Sequence, residues 1–300
     1  APQSPIHNRY VEGLKYLLDE QPDAAIDALV TDLEINQDTL EMYMSLGALW
    51  RKRGEMERAI RVHETLLISS ALTRLQRQQV QLELALDYSY SGVLDRSEVL
   101  LKELVTDAHP SVRQSAGREL VLLYQEEKDW EKAVAAADEL CSRTDIPDIQ
   151  TWRHLQAHYY CELVERALGG VDWNEQGVLR SGIPGSGASQ AQQMLQEAEH
   201  REPNHARVLL LQALLALGRD DVDGAREILE RVDLVPDYSM VLVPLMLRVD
   251  ESKHEDLCSR LMAFYQDSHD LGLLPLLADL VSRKESSERA VAFMIQELSA

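Results

Sequence analysis

Aromatic residues, cysteines and basic residues are all scarce in this chain of 300 residues. Aromatic side chains make up 5% of the sequence, and phenylalanine occurs only twice. Strands favour aromatic and β-branched residues, whereas the abundant Leu, Ala, Glu, Gln and Arg favour helices. The composition therefore predicts an all-α protein, and its 45% hydrophobic content is enough for a sizeable core.

The three cysteines, Cys141, Cys161 and Cys258, are widely spaced and form no CxxC pair. This pattern excludes a disulfide framework and a zinc knuckle, and it favours a reducing compartment. Cys161 lies in "HYYCEL", among apolar and aromatic residues. We therefore interpret it as a small buried thiol rather than a nucleophile.

Positive charge is limited to 30 Lys and Arg against 51 Asp and Glu, which gives a formal net charge of -21. Nucleic acids and anionic membranes bind basic surfaces, so proteins are the favoured partners. Long apolar runs are also missing: "VLLLQALLALG" is too short for a membrane span and is interrupted by Gln212. The first residues, "APQSPI", have no signal-peptide character. The chain as given is expected to be soluble.

Small residues recur with a period of about 34 residues, which is the period of tetratricopeptide repeats (TPR). In such a repeat, small residues let two helices approach closely and an aromatic residue fills the remaining gap. The residues that we assign to repeat contacts are Gly13, Tyr16, Ala25, Gly47, Trp50, Ala59, Tyr88, Tyr124, Ala133, Ala191 and Ala225. The sequence therefore predicts a right-handed TPR solenoid of antiparallel helix pairs, an architecture typically used to bind proteins.

The repeat pattern also predicts the domain organisation. Residues 1–8 are expected to form an N-terminal tail, and residues 9–237 to form about six TPR units. A Gly- and Ser-rich loop insertion interrupts the fifth unit near residues 170–188. Residues 238–300 keep helical periodicity but little repeat signal, so we expect degenerate TPR-like helices there.

Few residues suggest catalysis or metal binding. His154, His158 and Glu162 share one face of a predicted helix, but the tract is not HExxH and no further ligand is evident, so surface or contact roles are favoured. The segment "GIPGSG" from Gly182 lacks the Lys-Ser/Thr of a phosphate loop. His63 occupies a usually apolar position and is expected to be buried and hydrogen-bonded. No catalytic residue, metal or enzyme activity is predicted.

One basic segment stands out in the acidic chain. Residues 51–100 contain eight Lys or Arg and seven Asp or Glu, and five of the basic residues fall within residues 51–61. Arg51, Lys52, Arg58 and Arg61 are the candidate partner-binding residues. An alternative stays open, in which neighbouring glutamates pair with these side chains and stabilise helix ends.

The same segment carries a family resemblance. "LGALWRKRGEMERAIRVHETLL" closely resembles the second repeat of the lipopolysaccharide assembly protein B family. "RYVEGLKYLLDEQPDAAID" is similar to the first repeat of that family, and "HYYCEL" followed by "NHARV" is similar to its fifth-to-sixth repeat junction. The resemblance spans about residues 9–300 and is weakest after residue 238.

The resemblance implies a non-catalytic adaptor that regulates lipopolysaccharide biosynthesis in Gram-negative bacteria. Members of the family promote proteolysis of the LpxC deacetylase by the FtsH protease, and the membrane regulator LapC (YejM) opposes them. FtsH, LpxC and LapC are therefore the expected protein partners, without nucleic acid, and a homodimer is left open. The alternative is a TPR scaffold that assembles envelope-biogenesis enzymes without controlling proteolysis.

The resemblance also implies a location and a cofactor for the full-length protein. Family members are anchored in the inner membrane by an N-terminal helix and expose the repeats on its cytoplasmic face. They end in a rubredoxin-like domain that binds a metal through four cysteines. This chain shows neither the anchor nor the cysteine pairs. We therefore expect it to be the soluble repeat domain alone, without a cofactor.

Overall fold

The computed structural model describes residues 37–142, 148–169, 187–232, 236–284 and 286–298. In this part of the chain every regular element is a helix and no strand is present. The chain divides into two compact units, residues 1–147 and 148–300, which we call unit 1 and unit 2. The prediction of an all-α protein is confirmed.

Unit 1 is built from consecutive helix pairs. Each of the pairs α1–α2, α3–α4 and α5–α6 is joined by a short turn, and α2 and α4 also contact the first helix of the next pair. The described helices of unit 1 are α1 (Gln37–Lys52), α2 (Met56–Ile68), α3 (Arg74–Tyr90), α4 (Leu94–Asp107), α5 (Pro110–Glu126) and α6 (Trp130–Cys141). This is the antiparallel arrangement of helices that the repeat pattern predicts.

The turns within the pairs share one backbone geometry. The second residue after the first helix of each pair is left-handed: φ is +80° at Gly54, +77° at Gly92 and +57° at Lys128. In the first turn, the amide of Glu55 donates to the carbonyl of Trp50 over 2.9 Å. The equivalent amides after Gly92 and Lys128 make the same bond over 2.9 Å, which is the Schellman motif. The repeat is therefore visible in the backbone even where glycine is replaced.

Aromatic and small side chains fill the interior of unit 1 at the predicted places. Trp50 is 2% exposed and packs with Ala59, Val62 and Val80 in one cluster. Tyr88 and Tyr124, one and two repeats later, are also buried. Each of them donates its hydroxyl to a glutamate of the preceding second helix, Glu64 over 2.7 Å and Glu98 over 2.8 Å. Burial, followed by the hydrogen bond and charge of the glutamate, raises the pKa of both tyrosines.

Unit 2 begins with two helix pairs and continues with less regular helices. Its described helices are α7 (Ile149–Ala167), α8 (Ala188–Arg201), α9 (Ala206–Leu217), α10 (Val222–Glu230), α11 (Pro236–Val249), α12 (His254–Ser268), α13 (Leu274–Lys284) and α14 (Ser287–Leu298). Short 3-10 turns, Glu251–Lys253 and Leu271–Leu273, precede α12 and α13, and Pro244 lies inside α11.

Helix α9 forms the centre of the unit 2 core. Its apolar run "VLLLQALLAL" has no polar face wide enough for a surface helix, and α7, α8, α10 and α11 surround it. Val208, Leu209, Leu211 and Leu214 are accordingly buried. The longest apolar run of the sequence is thus a core helix, and none of the described helices is long and apolar enough to cross a membrane.

All residues assigned to repeat contacts that the structure describes are buried. Gly47 and Trp50 lie in α1, Ala59 in α2, and the remaining described members are Tyr88, Tyr124, Ala133, Ala191 and Ala225. Gly13, Tyr16 and Ala25 lie outside the described residues, as do residues 1–8 and most of the insertion near 170–188.

Candidate protein-binding surface

The basic segment, residues 51–61, forms the turn between α1 and α2. Arg51 and Lys52 are in the last turn of α1, where cations interact favourably with the helix dipole. Gly54 takes the left-handed conformation that reverses the chain, and no atom lies within 4 Å of the Cβ position it lacks. Arg58 and Arg61 then follow within the first half of α2. The four candidate residues therefore come from one tight turn and its flanking helix ends.

Arg51 is held by carboxylates of the next repeat. Its guanidinium nitrogens lie 2.6 Å from Oε2 of Glu83 and 2.6 Å from Oδ1 of Asp87, and its side chain is only 12% exposed. Burial disfavours the cation, but the hydrogen bonds and charges of Glu83 and Asp87 outweigh it and raise the pKa of Arg51. Arg51 therefore links α1 to α3, and its charge is used inside the chain.

Asp87 also contacts His63, which closes a buried network across three helices. Nδ1 of His63 in α2 contacts Oδ2 of Asp87 in α3, and both side chains are fully buried. The imidazole lies directly over Gly47 of α1, where a Cβ would come within 2.5 Å of the ring. His63 is thus buried and hydrogen-bonded, as the sequence predicts. Because its ring fills the space next to position 47, that position requires glycine.

Arg58 pairs within the turn itself. It forms an ion pair with Glu55, and Nε of Arg53 lies 3.1 Å from the other oxygen of the same carboxylate. Part of the self-pairing alternative is therefore observed. Glu64, which follows in α2, instead accepts the hydroxyl of Tyr88.

Lys52 and Arg61 are the exposed members of the candidate set. Both side chains face solvent, and neither has an ion-pair partner within the described part of unit 1. Tyr90, 68% exposed at the end of α3, lies near the same place, with its ring centroid 5.9 Å from the guanidinium carbon of Arg51. An aromatic ring beside exposed cations is a common composition for a protein-binding surface.

Carboxylates on the first helices of the next two pairs lie near Arg51. Burial raises the pKa of Glu119 in α5, while the charge of Arg51 opposes and that of Glu83 reinforces the increase. Glu83, Asp87 and Glu119 thus surround Arg51 with more negative than positive charge. The basic character of the segment is consequently confined to its rim, at Lys52 and Arg61.

The histidine and glutamate candidates of unit 2 do not converge on one point. Arg207 of α9 lies 2.7 Å from Glu162 and 2.7 Å from Glu165, and it donates to Nδ1 of His158 over 3.0 Å. Burial and the charge of Arg207 lower the pKa of His158. His158 and Glu162 are therefore engaged with an arginine, an arrangement that does not suit a cation site made with His154.

His154 instead contacts Glu202 and His205, which the sequence analysis did not group with it. Its Nδ1 lies 3.1 Å from Oε1 and 2.9 Å from Oε2 of Glu202, and its ring centroid is 4.6 Å from that of His205. His205 caps α9, since its Nδ1 accepts the amide of Val208 over 3.4 Å. Burial, with the charges of His154, His158 and Arg207, lowers the pKa of His205 to about 4. Only its place in "NHARV", at the start of a helix, signals this role in the sequence.

The remaining candidates offer no nucleophile. Cys161 is fully buried, and burial raises the pKa of its thiol to about 12. A thiol with such a pKa is protonated at neutral pH and unreactive. An open depression of about 560 Å³ in unit 1 is lined by residues such as Gln78, Lys102 and Asp107, without a histidine, cysteine or serine. "GIPGSG" lies outside the described residues.

The helix pairs, their Schellman turns and their aromatic and small contact residues define a repeat protein of the TPR type. Curated relatives of the chain carry the name lipopolysaccharide assembly protein B. The chain is 28% identical to the one from Escherichia coli K12, over 96% of this chain and 70% of the relative. It is 29% identical to the one from Haemophilus influenzae, over 97% and 70%. The resemblance to that family is confirmed along almost the whole chain.

Family models and solved structures add two findings. No family model matches the chain. Among solved structures, a tetratricopeptide repeat protein from Parabacteroides merdae aligns with 87% of this chain and 92% of its own, at 14% identity and a TM-score of 0.43.

Proposed function

We propose that this protein is a non-catalytic adaptor in lipopolysaccharide assembly, which binds other proteins through its helix-pair repeats. The observation that carries the proposal is similarity along 96% of the chain to a protein named for lipopolysaccharide assembly. The architecture supports it, because stacked helix pairs expose an extended surface and need no catalytic centre. The buried thiol of Cys161 and the arginine-bound His158 fit the same interpretation.

We further propose that the adaptor promotes degradation of the LpxC deacetylase by the FtsH protease and is opposed by LapC (YejM). This finer mechanism rests on the family resemblance. In the full-length protein the repeats would then work at the cytoplasmic face of the inner membrane. Lys52 and Arg61 would contact an acidic segment of a partner, Arg58 would orient the turn through Glu55, and Arg51 would hold α1 against α3.

The test reverses the two exposed cations, Lys52→Glu and Arg61→Glu, in one variant. Its control, Arg219→Glu with Arg283→Glu, makes the same charge change at exposed positions of unit 2. We expect at least tenfold weaker binding of purified FtsH or LpxC by the first variant, with helical circular dichroism unchanged, because charge-assisted contacts are lost. Unchanged affinity would remove Lys52 and Arg61 from the partner surface.

The lifetime of LpxC in cells distinguishes the adaptor from the scaffold alternative. The relatives are named for assembly, not for proteolysis, and this favours keeping the scaffold as a second candidate. If the protein controls proteolysis, deleting it lengthens the lifetime of LpxC, and the wild-type chain with its native flanking sequence restores it. An unchanged lifetime together with impaired lipopolysaccharide assembly would support the scaffold.

A further inference from the structure

We propose that His154, Glu202 and His205 form a binding site for a divalent transition-metal ion such as Zn²⁺ in unit 2. Each of the three residues offers one ligand atom, and these atoms all lie within 4.8 Å of one another. Two imidazoles and one carboxylate are a common set of protein ligands for zinc. The site consists of residues of unit 2, whereas the residues of the proposed partner surface belong to unit 1.

The three ligands come from two elements that the fold brings together. His154 lies in the second turn of α7, whereas Glu202 and His205 flank the short connection between α8 and α9. Helix α7 packs against both α8 and α9, so the connection is held beside the exposed side chain of His154. Buried His205 and half-buried Glu202 provide a fixed side, and His154 can adjust its rotamer from solvent.

The distances require only a small adjustment to accept an ion. Zinc bonds of about 2.0–2.2 Å in tetrahedral geometry place donor atoms about 3.3–3.5 Å apart. The carboxylate of Glu202 is already 2.9 Å from Nδ1 of His154. A cation would replace this histidine–carboxylate contact, which would open by roughly 0.5 Å. The ligand atoms that are farther apart, up to 4.8 Å, would move together by about 1 Å through rotation of the exposed imidazole. Three protein donors would leave one coordination position for water or another ligand.

A buried carboxylate oxygen of Glu202 also favours a bound cation. Oε2 of Glu202 is shielded from solvent and has no hydrogen-bond partner among the described residues, because only Oε1 meets the nitrogen of His154 in hydrogen-bonding geometry. A buried carboxylate oxygen without a donor is unfavourable, and a bound cation would satisfy it. The bond from the amide of Val208 to His205 is 3.4 Å long and therefore weak, so the imidazole is not committed to one tautomer.

Nearby charges do not occupy the site. Arg207, the closest cation that interacts with these histidines, is paired with Glu162 and Glu165 and bonds to His158. Its charge is therefore paired with two glutamates that do not belong to the proposed ligand set. The ligand set also predicts selectivity: imidazole and one carboxylate suit Zn²⁺, Co²⁺ or Ni²⁺, whereas Mg²⁺ and Ca²⁺ prefer sites made of oxygen.

The experiment titrates the tag-free 300-residue chain, stripped of metal with a chelator, with Zn²⁺ in a calorimeter. We expect saturable binding of one ion per chain and none of Mg²⁺. His154→Ala and Glu202→Gln should each weaken binding at least tenfold, since even the loss of an outer-shell partner costs about 10- to 100-fold. Both residues are partly exposed, so these variants should fold, which circular dichroism verifies.

The matched control is His200→Ala, which removes an exposed histidine in the last turn of α8, outside the cluster. It should bind Zn²⁺ like the wild type. Co²⁺ provides a second readout, because a tetrahedral site gives intense visible absorption that a loosely bound hexahydrated ion lacks. The proposal is overturned by absent or non-saturable binding, by binding that survives both ligand substitutions, or by equal loss in His200→Ala.

Discussion

The two units use the same residue types around an arginine, but they arrange them in opposite ways. In unit 1, Arg51 binds Glu83 and Asp87, and His63 contacts Asp87 on the side away from the arginine. In unit 2, Arg207 binds Glu162 and Glu165 and donates to His158 directly. In unit 1 the histidine thus shares a carboxylate with the arginine, whereas in unit 2 the histidines face the cation itself.

The different position of histidine relative to arginine has different consequences in unit 1 and in unit 2. The network of unit 1 is buried: the carboxylate of Asp87 lies between Arg51 and His63, and Nε2 of His63 has no hydrogen-bond partner among the described residues. In unit 2, burial and secondarily nearby positive charge lower the pKa of His158 and of His205 and so favour their neutral forms. The first arrangement joins repeats together, while the second leaves His205 close to the carboxylate of Glu202 and to His154. Three experiments test this difference between the units.

The largest effect is expected from Asp87→Ala, which removes the shared carboxylate of unit 1. Breaking a buried ion pair leaves an uncompensated charge, which typically costs about 3 to 5 kcal/mol. We expect a loss of this size in the free energy of unfolding of unit 1, measured by urea denaturation. The control is Asp107→Ala, because the pair of Asp107 with Arg74 is exposed and should contribute less than about 1 kcal/mol. Similar losses in both variants would contradict a special role for Asp87.

An intermediate effect is expected from acid on unit 2. The folded-state pKa of His205, about 4, is below its usual value of about 6.5, so the unfolded state takes up the proton first as the pH falls. Stability should be lost between about pH 6.5 and pH 4, by about 2 to 3 kcal/mol for this group. Urea denaturation at several pH values, with chelator present, measures it.

The variant that tests this assignment is His205→Asn, which keeps a side-chain acceptor for the start of α9. Its stability should fall less between pH 6.5 and pH 4 than that of the wild type. His200→Asn, at an exposed position, should leave the pH dependence of the wild type intact. If both variants behave alike, the acid sensitivity of unit 2 has another source.

The smallest of the three effects is expected from Gly47→Ala in unit 1. The added Cβ would come within 2.5 Å of the ring of His63, which is enclosed and bound to Asp87 and cannot move aside. Overfilling a core in this way costs about 1 to 3 kcal/mol. Gly117→Ala is the matched control, since its Cβ would meet only the flexible end of Leu140 at 3.2 Å. A tolerated Gly47→Ala would mean that His63 is not fixed by its network.

Predictions from the sequence were correct for residues whose contacts lie within one repeat or between adjacent repeats. Trp50, Tyr88 and Tyr124 recur because each repeat must fill the same gap beside the next one, and the period makes this visible. The predictions missed Lys128, which takes the left-handed turn position held by glycine in the two preceding repeats. A lysine gives no signal for that conformation, and only the preserved backbone bonds force it there.

The side-chain contacts of Arg51 and His154 could not be predicted from the sequence in the same way. Arg51 looked like a surface cation until its partners, 32 and 36 residues further on, were in place. His154 likewise meets Glu202, 48 residues away, across the loop insertion. No local pattern encodes such distances, because the inserted residues break the period that relates one repeat to the next.

The sequence alone is therefore sufficient to predict the helix pairs of unit 1 and many of the residues that face a neighbouring pair. These features depend on side-chain volume and on a period of about 34 residues, both of which can be counted along the chain. Only the tertiary structure decided which charges remain at the surface: Arg51 is buried against α3, whereas Lys52 and Arg61 stay exposed. Arg51 differs from Lys52 and Arg61 because the energy of a charge depends on its burial and on nearby opposite charges. Helices that are distant in the sequence provide both.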